Sequence, residues 1–132
     1  MTRSSGTFTV TSTPHPPYDT EPGATLGRVT FHKQFEGDLS ASSVVEMLSA
    51  MTEVNGSAAY VALERVKGSL GGRQGSFVLS HIGIMKRGSA SLTVSVVPDS
   101  ATQELTGLHG SMTIKVAGDV HSYTFEYSLE DE

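Results

Sequence analysis

Apolar and polar residues alternate along most of this chain, and two of the alternating runs meet at a glycine-rich turn. From Asn55 to Ile84 the sequence reads NGSAAYVALERVKGSLGGRQGSFVLSHIGI, the form of a long β-hairpin. A two-residue turn at Gly71-Gly72 sets Leu70 opposite Arg73, and a four-residue turn sets Leu70 opposite Gly75. Side chains alternate with period two, so both registers put Tyr60, Ala62, Glu64 and Val66 on one face with Phe77, Leu79 and His81. A carboxylate and an imidazole therefore fall opposite or diagonal to each other among apolar and aromatic neighbours.

The same alternation continues on either side. Gly6 to Thr13 sets Phe8 and Val10 against Thr7, Thr9 and Thr11. Pro14 to Gly23 carries too many prolines for a strand or helix and is a candidate lid. Gly27 to Glu36 places Val29, Phe31, Lys33 and Phe35 together, and Gly37-Asp38 is expected to form a two-residue turn into a strand from Leu39 to about Met51. That third run gives contradictory signals. The Gly37-Asp38 turn puts Glu46 on the face of Val29 and Phe31, whereas an Asn55-Gly56 turn puts Met47, not Glu46, beside Glu64, so Glu46 and Lys33 stay unassigned. With Gly88-Ser89 as a tight turn, His81 shares a face with Leu92, Val94 and Val96 while Thr93 and Ser95 point away. Glu104 to Val116 groups Leu108, Met112, Ile114 and Val116. Gly118-Asp119 then pairs these with His121, Tyr123, Phe125, Tyr127 and Leu129. No helical period appears, and the reading is all-β: an eight-stranded antiparallel up-and-down barrel, which removes its edges by closing.

The composition narrows the function classes. At 132 residues the chain is read as one domain, 1–132. The net charge of −5 leaves no basic face for a nucleic-acid partner. With Cys 0, thiolate metal sites, cysteine nucleophiles and disulfides are excluded. The histidines show no ligand spacing, so neither a metal nor another cofactor is expected. No apolar run reaches the ~20 residues of a membrane helix, and the start MTRSSGTFTV lacks the apolar core of a signal peptide. The expectation is a cytoplasmic protein with no membrane partner. Gly68 to Gly75 is rich in glycine but leads into a strand, not a helix, so it is read as a turn, not a phosphate loop.

The stretches KQFEGDL (33–39), GSAAYVALERV (56–66), GSFVLSH (75–81) and HSYTFEY (121–127) resemble an uncharacterised bacterial family of small single-domain proteins. That family is similar in fold to the plant allene oxide cyclases, whose barrels also look like those of dirigent proteins. The resemblance spans nearly the whole chain and implies an eight-stranded barrel. No catalytic constellation carries over from the cyclases residue by residue.

Glu64 and His81 are the candidate catalytic residues. Burial raises a carboxyl pKa and lowers that of an imidazole, their attraction opposes both shifts, and such a pair can act as general acid and base. The alternative is a mutually satisfied buried pair that fixes strand register. Tyr60, Phe77, Tyr123, Phe125 and Tyr127 are the candidate ligand-binding residues, with ordinary aromatic core as the alternative. An eight-stranded barrel is either filled by side chains or just able to hold one small ligand. The expected partner is therefore a small apolar molecule in the lumen, handled by an isomerase or cyclase, by a carrier or sensor, or not at all if the barrel is a filled structural homo-oligomer. On the outer face of the organising hairpin, Val61, Leu63, Val78, Ile82 and Ile84 form an apolar patch. Such patches mark contacts, so a homo-oligomer centred on Val61, Leu63, Val78 and Ile82 is expected.

Overall fold

The structure, a computed structural model, describes residues 1–129. Its strands are β1 (Thr2–Pro14), β2 (Ala24–Gly37), β3 (Leu39–Thr52), β4 (Ala58–Leu70), β5 (Arg73–Lys86), β6 (Ser89–Val96), β7 (Leu108–Ala117) and β8 (Val120–Leu129). They pair antiparallel in chain order, and β8 returns to β1, closing an eight-stranded barrel. The only helix among the described residues is one 3-10 turn, Gln103–Leu105. It stands where the seventh strand was expected to begin, and it turns Leu105 into the core.

Turn chemistry fixes which side chains point inward. Gly71 and Gly72, both at positive φ, make the two-residue turn that pairs Leu70 with Arg73. The β7–β8 turn pairs Ala117 with Val120 and so Met112 with Phe125. Between β5 and β6 the turn is Arg87-Gly88, with Lys86 opposite Ser89. That register is two residues from the expected one, so it keeps the same faces. The Gly37-Asp38 turn is a correction. Phe35 pairs with Ala41, an odd loop that reverses the faces of β3: Ser43, Val45 and Met47 point inward and Glu46 outward. The cause is local. Gly37 adopts φ 111°, and the Tyr123 hydroxyl accepts from the Leu39 N–H (3.0 Å) and donates to the Glu36 carbonyl (3.1 Å), holding a one-residue tip in place.

Successive turns alternate between the two ends of the barrel. The end bearing the β2–β3 and β4–β5 turns is packed solid by Phe35, Leu39, Leu70, Phe77, Leu105 and Phe125, each about 1% exposed or less. Phe77, Phe125 and Tyr127 stack there in sequence, with centroids 5.8 and 5.2 Å apart. β6 is too short to cover the lower half of β5, and the β6–β7 connector takes its place. Val97 and Thr102 donate to the Val78 and Ser76 carbonyls, and the side chains of Ser100, Thr102 and Glu104 accept from the Val78, Ser76 and Gln74 N–H groups. Gly75 permits this close approach, since a Cβ there would stand 2.4 Å from the Thr102 carbonyl oxygen. β6 itself has one ladder pairing with β7, Ser95 with Ser111, although the two strands run side by side.

The Pro14–Gly23 segment continues the β1–β2 pairing loosely. His15 and Tyr18 donate to the Arg28 and Leu26 carbonyls, and Leu26 donates to Asp19. It ends beside Met51 and Glu53 at the mouth opposite the packed end.

Candidate functional site

Cross-strand registers arrange the inner face of β3–β6 in rows, described here from the open mouth inward. Met51, Ala58, Met85 and Ala90 form the first row; Ser49, Tyr60, Gly83 and Leu92 the second; Met47, Ala62, His81 and Val94 the third; Val45, Glu64, Leu79 and Val96 the fourth. Glu64 and His81 are thus diagonal neighbours one row apart, on the face their parity requires.

Their geometry is that of a buried ion cluster. Glu64 is 0% exposed and His81 5%. The His81 Nε2 lies 2.7 Å from Glu64 Oε1. Lys33 reaches the same oxygen from β2, with Nζ at 3.3 Å. Ser43 Oγ donates to Oε2 at 2.6 Å. The Lys33 ammonium also lies 4.7 Å above the centre of the Phe8 ring, a cation–π contact in a desolvated setting. Burial alone would push the Glu64 carboxyl up. The His81 hydrogen bond, the Lys33 charge and the Ser43 hydrogen bond together outweigh it and hold the group below its ordinary value. Glu64 is therefore an anion at neutral pH with both oxygens engaged. His81 Nε2 carries a proton and donates it to that anion. Nδ1 has no hydrogen-bond partner. No buried side-chain nitrogen or oxygen among the described residues lacks one, so Nδ1 belongs to the 6% of the His81 side chain that remains accessible.

Above the third row the inner face opens into a cup of about 360 Å³. Met47, Tyr60, Met85 and Leu92 supply most of its apolar wall, and its volume falls within the range of small-molecule sites. The Tyr60 ring lies over Gly83, where a Cβ would be 2.1 Å from the ring. The aromatic ring thereby covers a strand glycine. Burial pushes the Tyr60 hydroxyl above its ordinary value.

The five aromatic candidates separate. Tyr60 lines the cup. Phe77, Phe125 and Tyr127 lie in the stacked array of the packed end, and Tyr123 braces the β2–β3 tip. Lys33, which sequence parity could not place, completes the ion cluster, while Glu46 lies outside, bonded to Arg28 and Thr30. Ser43, Met47 and Leu92 carried no chemical signal of their own in the sequence, and only strand register reveals their places. Among the described residues no group of three or more His, Cys, Asp or Glu side chains is arranged to hold a metal ion. No helix there is long and apolar enough to cross a membrane.

Outside, Val61, Leu63, Ile82 and Ile84 are 52–59% exposed, and the Pro14–Gly23 segment does not cover them. A second, wider groove of about 850 Å³ runs over the exterior of β1–β5, with Thr11, His32, Val44 and Arg65 across its floor.

What these features define is a closed antiparallel β-barrel, packed at one end and cupped at the other, with a buried Lys–Glu–His cluster between. The profile of a family described as protein of unknown function, DUF3224, matches residues 4–127, and the chain belongs to that family. It is similar to a DUF3224 protein of unknown function from Shewanella oneidensis MR-1, whose crystal structure shares 50% sequence identity, covers 99% of each chain and superposes with a TM-score of 0.93. No curated protein matches the chain.

Proposed function

We propose that this protein binds a compact, largely apolar molecule in the cup and moves a proton on it through His81, as an isomerase or cyclase does. One observation carries the reading: directly beneath the cup, in the row of Met47, Ala62, His81 and Val94, stands an imidazole held by a buried carboxylate. Glu64 is then a positioning residue, and His81 is the acid/base that meets the ligand. Tyr60 is the one aromatic candidate retained as a ligand contact. A cytoplasmic location fits this reading.

The test uses N-phenyl-1-naphthylamine, an uncharged fluorophore that brightens on leaving water. Saturable enhancement is expected with the wild-type protein and a loss of it with Leu92→Asp; no enhancement with the wild type would overturn the cup as a site. Small molecules released from the purified protein, incubated with it in D₂O, should gain deuterium with the wild type and not with His81→Gln. Binding without deuterium gain would make the protein a carrier or sensor.

The exposed aliphatic patch favours a second property, association of like chains through Val61, Leu63, Val78 and Ile82. Each aliphatic side chain withdrawn from water contributes roughly 1.5–3 kcal/mol, and two-fold contacts are the commonest form of such assembly. Sedimentation velocity should show an oligomer that Ile82→Asp converts to monomer. A wild-type monomer at high concentration would exclude it.

A further inference from the structure

We infer that the molecule taken by the cup is an uncharged, flat, conjugated carbonyl compound, an aryl ketone or the like, with its ring between Met51 and Met85 and its oxygen accepting from the Ser49 and Tyr60 hydroxyls. This rests on the cup being the binding site.

The lining sets the charge. No Asp, Glu, Lys, Arg or His borders the cup, so an ionic ligand would shed its water there without gaining a counter-charge. Tyr60 is the one titratable group in the lining, and burial pushes its hydroxyl above the ordinary value of 10.0. It is a neutral donor at physiological pH.

Two inward hydroxyls call for an acceptor. Ser49 and Tyr60 both line the cup and stand opposite each other in the β3–β4 register. Neither is hydrogen-bonded within the protein, and among the described residues no buried side-chain oxygen lacks a partner, so both oxygens open onto accessible space. A purely apolar ligand would seal them from water unpaired. A carbonyl oxygen, with two lone pairs, accepts from either or both.

The shape follows from the row at the mouth. Three of the chain's five methionines, Met47, Met51 and Met85, line this cup. Met51, Ala58 and Met85 are cross-strand neighbours, so the short Ala58 leaves a slot between two thioethers whose backbones stand about 9.6 Å apart. Sulfur makes favourable contacts with aromatic rings, and such a slot takes a ring edgewise. Tyr60 follows Ala58 on the same face of β4, about 6.7 Å deeper. That is close to the reach from the centre of an aryl ring, through an attached carbonyl, to a hydrogen-bond donor. The Tyr60 ring lies against Gly83, with three ring atoms within 2.7 Å of where a Cβ would stand, and turns its other face to the cup.

The probes are 2-acetylnaphthalene and three relatives. 2-Ethylnaphthalene lacks the oxygen, 2-naphthoate carries a charge, and decan-2-one keeps the carbonyl on a saturated chain. Each competes with N-phenyl-1-naphthylamine for wild-type protein. The aryl ketone should displace the fluorophore at about ten-fold lower concentration than 2-ethylnaphthalene, although it is the less hydrophobic of the two. 2-Naphthoate and decan-2-one should also compete more weakly than the ketone. The carbonyl stretch of bound, carbon-13-labelled 2-acetylnaphthalene should fall below its value in alkane, a measurement that needs no variant. The fall should vanish in the double variant Ser49→Ala/Tyr60→Phe. If the fluorophore binds but the ketone competes no better than any one of its relatives, or its stretch does not fall, the inference is overturned and the cup stands. If neither fluorophore nor ketone binds, both fall. A lowered stretch that survives the double variant would remove the two hydroxyls as donors. Fluorophore affinity that weakens as protein concentration rises would put a second copy in the cup and overturn the inference.

Discussion

Lys33→Met tests whether the buried cluster is energetically coupled. Nζ lies 3.3 Å from Glu64 Oε1, with the two side chains 9% and 0% exposed, so solvent screens the pair weakly. Methionine keeps most of the aliphatic stem and removes the charge. Removing one partner of a buried pair costs about 3–5 kcal/mol. Glu64 keeps its Ser43 and His81 donors, however, and the loss of one charge-assisted bond is about 1.5–3 kcal/mol. The expected loss is therefore about 2–3 kcal/mol. Glu64→Gln strands the Lys33 ammonium beside the Phe8 ring with only an amide oxygen to accept from it, and should cost about 3 kcal/mol by the same reasoning. The double variant leaves neither charge unpaired. It should lose about 2–3 kcal/mol in total, not the roughly 5–6 of the two singles added together, a coupling of about 3 kcal/mol. A small domain of ordinary stability, about 5–15 kcal/mol, tolerates all three. Urea denaturation of the four proteins at neutral pH, compared at a common slope, measures the cycle. Losses that add to within about 0.5 kcal/mol would refute the coupling, and the cluster would then be three independent contacts.

Three further outcomes are expected. The folded Glu64 carboxyl titrates below its ordinary value of 4.5, so its stabilisation is complete above that pH and is lost as pH falls through the depressed folded value; acid unfolding followed by circular dichroism should show a shallower limb in Glu64→Gln, and equal limbs would deny the linkage. Tyr123→Phe leaves the buried Leu39 N–H without its acceptor, which should cost about 1–3 kcal/mol and several degrees of melting temperature, whereas an unchanged melt would show the hydroxyl to be dispensable. Gly83→Ala drives a methyl into the Tyr60 ring; the ring must swing out of the cup wall, weakening N-phenyl-1-naphthylamine binding several-fold at under about 2 kcal/mol of stability, and equal affinity would remove Tyr60 from the ligand's contacts.

The Glu64–His81 neighbourhood was legible because one glycine turn of even length decides it. Any even loop gives the same parity, which is why a two-residue error in the β5–β6 register did no harm. Lys33 and Glu46 were not legible for the complementary reason. Their placement hangs on the β2–β3 loop, and that loop is odd because Tyr123, more than eighty residues downstream, supplies a hydroxyl to its backbone. No local pattern contains that information. The cup was invisible for another reason: Met47, Tyr60 and Leu92 come from three strands, and only the register lines them up beneath the mouth. The 3-10 turn at Gln103–Leu105 was hidden inside a run that also reads as the start of a strand.

The single pairing of Ser95 with Ser111 makes this cylinder a split ring fastened by one clasp. Mouthward of the clasp, β6 and β7 leave their facing backbone edges unzipped, although the sheet counts as closed. Along the outer face of these edges Ser91, Thr93, Thr113 and Lys115 interrupt the apolar positions, a guard against runaway strand addition. Below the clasp, the β6–β7 connector is riveted to β5 and cannot follow. The weakest backbone seam of the barrel therefore lies at one side of one end, beside the wall carrying Ala90 and Leu92 and away from the packed end. Amide exchange in such a body is graded around the circumference as well as along the axis, fastest at the split and slowest diametrically opposite.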